Sequence, residues 1–270
     1  NHYRVTSSMS DAVIASLNIA KSVYYQHPEW IKTAMNRFVV DPGIPEARQW
    51  VIGRVMEVVN KYDVDGVHFD DYFYYEATVG ELKDDSTYNT YNQGQFSNKW
   101  DWRRNNTYLL VSELSQRIRA SKPWVKFGIS PSGIWGNKKD GLPDGSNTNS
   151  SFTNYGSCFA DTKKWVEDEL IDYIAPQIYF SFGNTNAPYG ELASWWSDVV
   201  RGKNVHLYIG QALYKINDDT DVYFTGDNAL PEFSRQLKFN ATKDEIQGSI
   251  LFRVRSEEHT SELQSRRDLV

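Results

Sequence analysis

From Asp41 onward, apolar positions along the chain switch between two spacings. Short apolar runs bounded by polar turns alternate with stretches in which apolar residues recur every three or four positions. Pro45 opens the first helical stretch, where its absent N–H costs nothing, and Val51, Val55, Val59 and Tyr62 follow on one face. A turn at Asp63–Gly66 leads into a strand expected at Val67–Phe73. After a polar loop, Arg103–Ser121 carries Leu110, Leu114 and Ile118 on one stripe. Lys122-Pro123 ends that helix, and Val125–Ser130 reads as the next strand.

The alternation repeats. Asp161 is placed to cap a helix running through Trp165 to Leu170, followed by a strand over Ile171–Phe180. Tyr189–Val200 reads as a helix with Leu192, Trp195, Trp196 and Val199 on one side. Val205–Leu213 is the next strand, Asn228–Lys238 a helix carrying Leu230, Phe233 and Leu237, and Gly248–Val254 the last strand.

Strands alternating with helices imply an α/β protein with a parallel sheet. The strands are apolar almost throughout, as expected when both faces are covered. Neither a GxGxxG fingerprint nor a P-loop occurs, so an open nucleotide-binding sheet loses its usual signature. The expected architecture is a (β/α)8 TIM barrel over residues 1–254. Five strands fall short of eight, and the expectation is a fragment lacking about the first three. Barrels build their sites from loops at the C-terminal ends of the strands. Here those ends carry Asp70-Asp71, Ser130-Pro131-Ser132-Gly133, Gln177-Ile178-Tyr179, Gln211 and Tyr214.

Composition narrows the function classes. The 270 residues are 40% hydrophobic and 24% charged, ordinary for a globular protein. A net charge of −6 offers no basic face for nucleic acid. The single Cys158 excludes an internal disulfide framework and a Cys-based zinc site. No run approaches the length of a membrane span, and no secretion signal opens the sequence. Nine Trp and 17 Tyr suit stacking on sugar rings as well as core packing. The tail from Arg255 to Val270, with "RSEEHTSELQS", resembles a translated sequencing adapter and is set aside as non-native.

Several segments carry a resemblance. "YDVDGVHFDDYFY", "WRRNN", "KPWVKFGISPSGIW", "DYIAPQIYFSFG", "APYGELASWW" and "LYIGQALYKI" resemble, in order and spacing, the bacterial glycosyl hydrolase-like 10 family. That resemblance covers essentially Asn1 to Val254. It implies a (β/α)8 barrel in which Val67–Phe73 is the fourth strand and Gly248–Val254 the eighth. It also implies hydrolysis of bacterial cell-wall glycan, with peptidoglycan strands as substrate, an extracytoplasmic location and no cofactor.

Glycoside hydrolysis generally uses two carboxyl groups, one protonating the leaving oxygen and one attacking carbon or activating water. Strand alternation puts His68, Asp70 and Tyr72 on one face of the strand and Val67, Phe69 and Asp71 on the other. Val67 and Phe69 suit contact with helices, which turns His68 and Asp70 inward and Asp70 to the rim. Asp70 is therefore the candidate nucleophile or base. Asp71 is the candidate acid if the strand has ended there; a helix cap or salt bridge is its structural alternative. Chitinase-like barrels carry a Glu two residues beyond their last inward Asp, a position held here by Tyr72. Glu76, Asp140, Asp144 and Glu191 are other candidate acids in loops or near helix starts.

The remaining rim residues suit substrate binding. Gln177 and Tyr179 share a strand face and suit sugar hydroxyls; Gln211 ends the following strand. Tyr72, Tyr74 and Trp135 suit stacking, with loop packing as the other reading. Arg103 and Arg104 suit a substrate carboxylate, with a salt bridge at the helix start as the other reading. His206, flanked by apolar residues, is expected in the core. A metal site at His68, Asp70 and Asp71 lacks further ligands in the sequence, so none is expected. Two functions fit these residues: a hydrolase of polysaccharide, and an inactive glycan-binding barrel.

Overall fold

The computed structural model describes residues 10–17, 19–34, 37–70, 73–74 and 82–253. Asp71, Tyr72, Glu76 and the tail beyond Arg253 lie outside the described residues. Two short helices, α1 (Asp11–Leu17) and α2 (Val23–Gln26), precede an antiparallel pair, β1 (Ile31–Ala34) and β2 (Arg37–Val40). Next come α3 (Pro45–Lys61), β3 (Gly66–Phe69), α4 (Asp85–Tyr91), α5 (Lys99–Ser121) and β4 (Lys126–Ile129). Then follow α6 (Asn154–Ser157), α7 (Thr162–Glu167), β5 (Tyr173–Ile174), α8 (Tyr189–Val200), β6 (His206–Ala212), α9 (Ala229–Asn240) and β7 (Ile246–Phe252).

The five later strands hydrogen-bond in chain order, β3-β4-β5-β6-β7. β5 and β6 pair in parallel, as do β6 and β7, with an irregularity between Leu207 and Tyr208. The α/β class and the order of strands and helices agree with the sequence pattern.

The chain divides into two compact units, Asn1–Gly128 with Phe152–Ile171, and Ile129–Ser151 with Asp172–Val270. In the first, Pro45 stands at the start of α3, whose inner stripe is Ala47, Arg48, Val51, Ile52, Met56 and Val59. Tyr62 leaves that stripe because the helix ends at Lys61 and Tyr62 is extended. Asn98 caps α5 by accepting from the Asp101 N–H, so the helix starts four residues earlier than expected. Leu110, Leu114 and Ile118 are buried as the spacing predicts. Phe69 meets Phe127 edge-on at 5.4 Å, and Phe73 meets Trp165 at 4.8 Å.

The first unit also buries charge. Arg103 and Asp84 are both fully buried. The Arg103 guanidinium donates from Nε to Asp84 Oδ2 at 2.8 Å, from Nη2 to Oδ1 at 2.5 Å, and to the Leu82 carbonyl at 3.0 Å. The Phe159, Trp100 and Tyr74 rings lie 4.8, 5.2 and 5.5 Å from the guanidinium carbon. Asp41, also buried, accepts from Thr87 Oγ1 at 2.6 Å and the Gly43 N–H at 2.9 Å. Burial raises its pKa, and the Asp84 charge adds to that; Thr87, Gly43 and Lys32 oppose it.

In the second unit, Asp172 accepts the His206 N–H as β5 begins, and Ala175 N–H bonds the Ile129 carbonyl. β5 is only two residues long because Pro176 supplies no N–H to continue the ladder. Pairing resumes at Gln177, which bridges Ser132 on one side and Gly210 on the other. α9 departs from expectation more sharply. Phe233 is buried, but Leu230 and Leu237 are 55% and 44% exposed, while Glu232, Gln236 and Asn240 are buried. The polar residues turn inward because they have partners there. Glu232 Oε1 accepts the Phe182 N–H at 2.8 Å and Gln236 Nε2 at 3.0 Å. Gln236 Nε2 also donates to the Phe180 carbonyl, and Asn240 Oδ1 accepts from Tyr189 Oη at 2.9 Å. His206, expected in the core, is exposed: β6 begins there, and the following Leu207 takes the inward position.

Two outcomes are expected. Asp84→Ala leaves Arg103 buried beside no carboxylate and should cost about 3–5 kcal/mol in equilibrium denaturation. Asp41 binds its proton more tightly folded than unfolded, so its contribution to stability is full below its unfolded pKa and is lost as pH rises through the raised one. The difference between the wild-type and Asp41→Asn stability profiles should therefore fall with rising pH from about pH 4 upward; parallel profiles would contradict this.

Candidate active site

β3 ends at Phe69, so Asp70 is the first residue beyond the strand. Phe69 is buried while His68 and Asp70 are accessible, the separation of faces that alternation predicts. His68 has a pKa held below the usual imidazole value, chiefly by the protein packed around it. The Asp70 charge opposes that shift, so the two side chains share an electrostatic environment. The shift favours the neutral form of the imidazole, two residues before the accessible Asp70. Such a pair can orient a sugar hydroxyl through the ring and present the carboxylate to an anomeric carbon or a water.

The first unit's other candidates divide. Arg103 and Tyr74 are fully buried. Arg103's carboxylate partner is the chain's own Asp84, so the salt-bridge reading is the one observed and a clamp on a substrate acid is not. Tyr74 donates its N–H to the Cys158 carbonyl, its hydroxyl accepts from Asn106 Nδ2 at 3.4 Å, and its ring packs edge-on to Phe159. Burial raises the Tyr74 pKa far above the ordinary tyrosine value. Its role is in the core rather than as a stacking platform. Arg104 is partly exposed, donating to Asp101 Oδ1 and the Tyr155 carbonyl, with its guanidinium carbon 4.0 Å from the Tyr155 ring centre.

In the second unit, Gln177 is held by its neighbours' lack of side chains. A Cβ on Gly133 would stand 2.6 Å from the Gln177 carbonyl oxygen, and one on Gly210 would stand 3.1 Å from the Gln177 Cα. The Gln177 N–H donates to the Pro131 carbonyl and its Nε2 to the Ser130 carbonyl at 3.1 Å. Gln177 and Tyr179 are both half-buried with Ile178 buried between them, so the shared face read from the sequence is present.

Tyr179 meets two rings the spacing alone does not bring together. Phe252 lies 6.1 Å away and nearly parallel, at 21°. Tyr214 stands 6.0 Å from Tyr179 at 80° and 5.9 Å from Phe252 at 89°. Phe252 escaped sequence reasoning because only the parallel register of β6 and β7 carries it to this end of the sheet.

Gln211 and Trp135 are buried. Gln211 Nε2 donates to Gln236 Oε1 at 3.1 Å, which ties it to α9 rather than to the rim surface. Trp135 stacks on Trp195 at 5.8 Å and is a packing residue. Among the alternative acids, Asp140 accepts from Asn137 Nδ2 at 2.6 Å and Glu191 accepts the Asn147 N–H at 2.8 Å, both bonds that fasten loops. Among the described residues no group of three or more His, Cys, Asp or Glu is placed to hold a metal ion, and no helix is long and apolar enough to cross a membrane.

Residues 3–224 match the family described as glycosyl hydrolase-like 10. The chain is 45% identical over 260 residues to glycosyl hydrolase DigH of Escherichia coli K12, covering 94% of this chain and 58% of that protein. It is 43% identical over 256 residues to glycosyl hydrolase YngK of Bacillus subtilis 168, covering 94% of this chain and 49% of that protein. The chain thus spans about half the length of the curated relatives it matches. Among solved structures, bee venom hyaluronidase aligns with a TM-score of 0.40 at 15% identity, over 84% of this chain and 63% of that one. On the family match and these relatives together, the chain belongs to the glycosyl hydrolase-like 10 family.

Proposed function

We propose that the protein hydrolyses glycosidic bonds in a bacterial polysaccharide outside the cytoplasm, with peptidoglycan glycan strands as substrate. The observation that carries this reading is the accessible Asp70 side chain just beyond β3, with the accessible His68 two residues before it and the buried Phe69 between them. The curated relatives' description as glycosyl hydrolases supports the reaction class.

In this reading Asp70 attacks the anomeric carbon or removes a proton from a water that does so. A second carboxylic acid, for which Asp71 is the candidate, protonates the departing glycosidic oxygen. His68 orients a sugar hydroxyl, and the partly exposed Arg104 offers its guanidinium to a substrate acid. The proposed architecture for this work is a (β/α)8 barrel. The accessible Ile250 and Leu251 within β7 support it, since an apolar edge strand is normally covered.

Asp70→Asn should lower reducing-end release from purified glycan strands to below about one hundredth of the wild-type rate, with the folded state and sugar binding retained. Full turnover in that variant would remove Asp70 from the chemistry. Binding without turnover in the wild type would favour the glycan-binding alternative. The anomer released, followed by NMR, reports the carboxyl spacing: about 5–5.5 Å for retention and about 6.5–9.5 Å for inversion.

A further inference from the structure

We propose that Tyr179 and Phe252 form a stacking platform for a pyranose ring, supported edge-on by Tyr214. This rests on the glycan reading above and adds a place where the protein grips a sugar.

The three rings gather in the second unit, beyond β5 and at the C-terminal ends of β6 and β7. In parallel α/β sheets, ligands bind outside the carboxyl ends of the strands. The Tyr179 and Phe252 rings lie nearly parallel in an offset stack, and Tyr214 stands perpendicular to both, so flat apolar area is held in one orientation. Phe252 is 44% exposed and the two tyrosines are half-buried, so the rings are open to a ligand yet backed by protein.

The surroundings are polar in the way a sugar requires. The axial C–H face of a pyranose is apolar, and its equatorial hydroxyls point outward from the ring's edge. Gln177 stands on the same side of the chain as Tyr179, two residues before it, and the two tyrosines add phenolic hydroxyls. The platform is also built before a ligand arrives. Gln177 is wedged between Gly133 and Gly210, and the segment after Tyr179 is fastened by Gln236 to the Phe180 carbonyl and by Glu232 to the Phe182 N–H. Fixing these groups in advance lowers the ordering cost of binding.

The test is calorimetric titration of the full-length protein, carrying Asp70→Asn, with a β-1,4-linked N-acetylglucosamine tetramer. Phe252→Ala and Tyr179→Ala should each weaken binding about tenfold. Phe252→Leu keeps the apolar volume but loses the flat ring and should weaken binding similarly, while Phe252→Trp should bind as well as the parent. Melting temperatures identify any variant that fails to fold, and the Leu and Trp variants then decide. Tetramer binding that is equal in parent, Phe252→Leu and Tyr179→Ala would overturn the platform while leaving the hydrolase reading intact. Binding lost in those variants, without turnover by the wild type, would keep the platform and overturn the hydrolase reading. No tetramer binding by the parent would overturn the platform outright.

Discussion

A buried charge has to be matched where it lies, and in the first unit the Asp84–Arg103 pair dictates where several elements go. Arg103 projects from α5, Asp84 precedes α4, and the same guanidinium takes the Leu82 carbonyl. Three rings close around it, one of them Tyr74. Tyr74 is four residues past Asp70 and is tied in turn to the Cys158 carbonyl. The strand that ends before the candidate carboxylate is therefore held at its last residue by Phe69 on Phe127 and, four residues beyond Asp70, by a core residue packed on an ion pair.

The second unit meets the same constraint with amides. Glu232 and Gln236 take up the backbone of Phe180 and Phe182, and Gln236 also receives Gln211. These bonds satisfy backbone beyond the Gln177 bridges, where the sheet pairing has ended. The irregular segment between β5 and α8 thus has its backbone paired by a helix, and Tyr179 inherits a fixed position from that pairing.

Features decided by neighbours in sequence were legible. The faces of β3, the stripe of α5, the Asp161 cap of α7 and the bounds of α8 follow from local spacing and from single side-chain acceptors. Features decided at long range were not. Arg103 finds Asp84 nineteen residues away, and nothing in "WRRNN" distinguishes a buried arginine from an exposed one. The inverted face of α9 depends on partners 25 to 56 residues distant. The β1–β2 pair escaped notice because "RFVV" buries three consecutive residues, which hides the alternation of a strand.

The inverted face of α9 bears on how the chain can drift in sequence. Hydropathy would mark Leu230 and Leu237 as fixed and Glu232, Gln236 and Asn240 as free to vary. With the leucines in solvent and the polar side chains holding backbone, the tolerance runs the other way. A lineage could exchange both leucines for charged residues with little loss of packing, whereas a leucine at Gln236 would strand the Phe180 carbonyl and the Gln211 amide inside the protein.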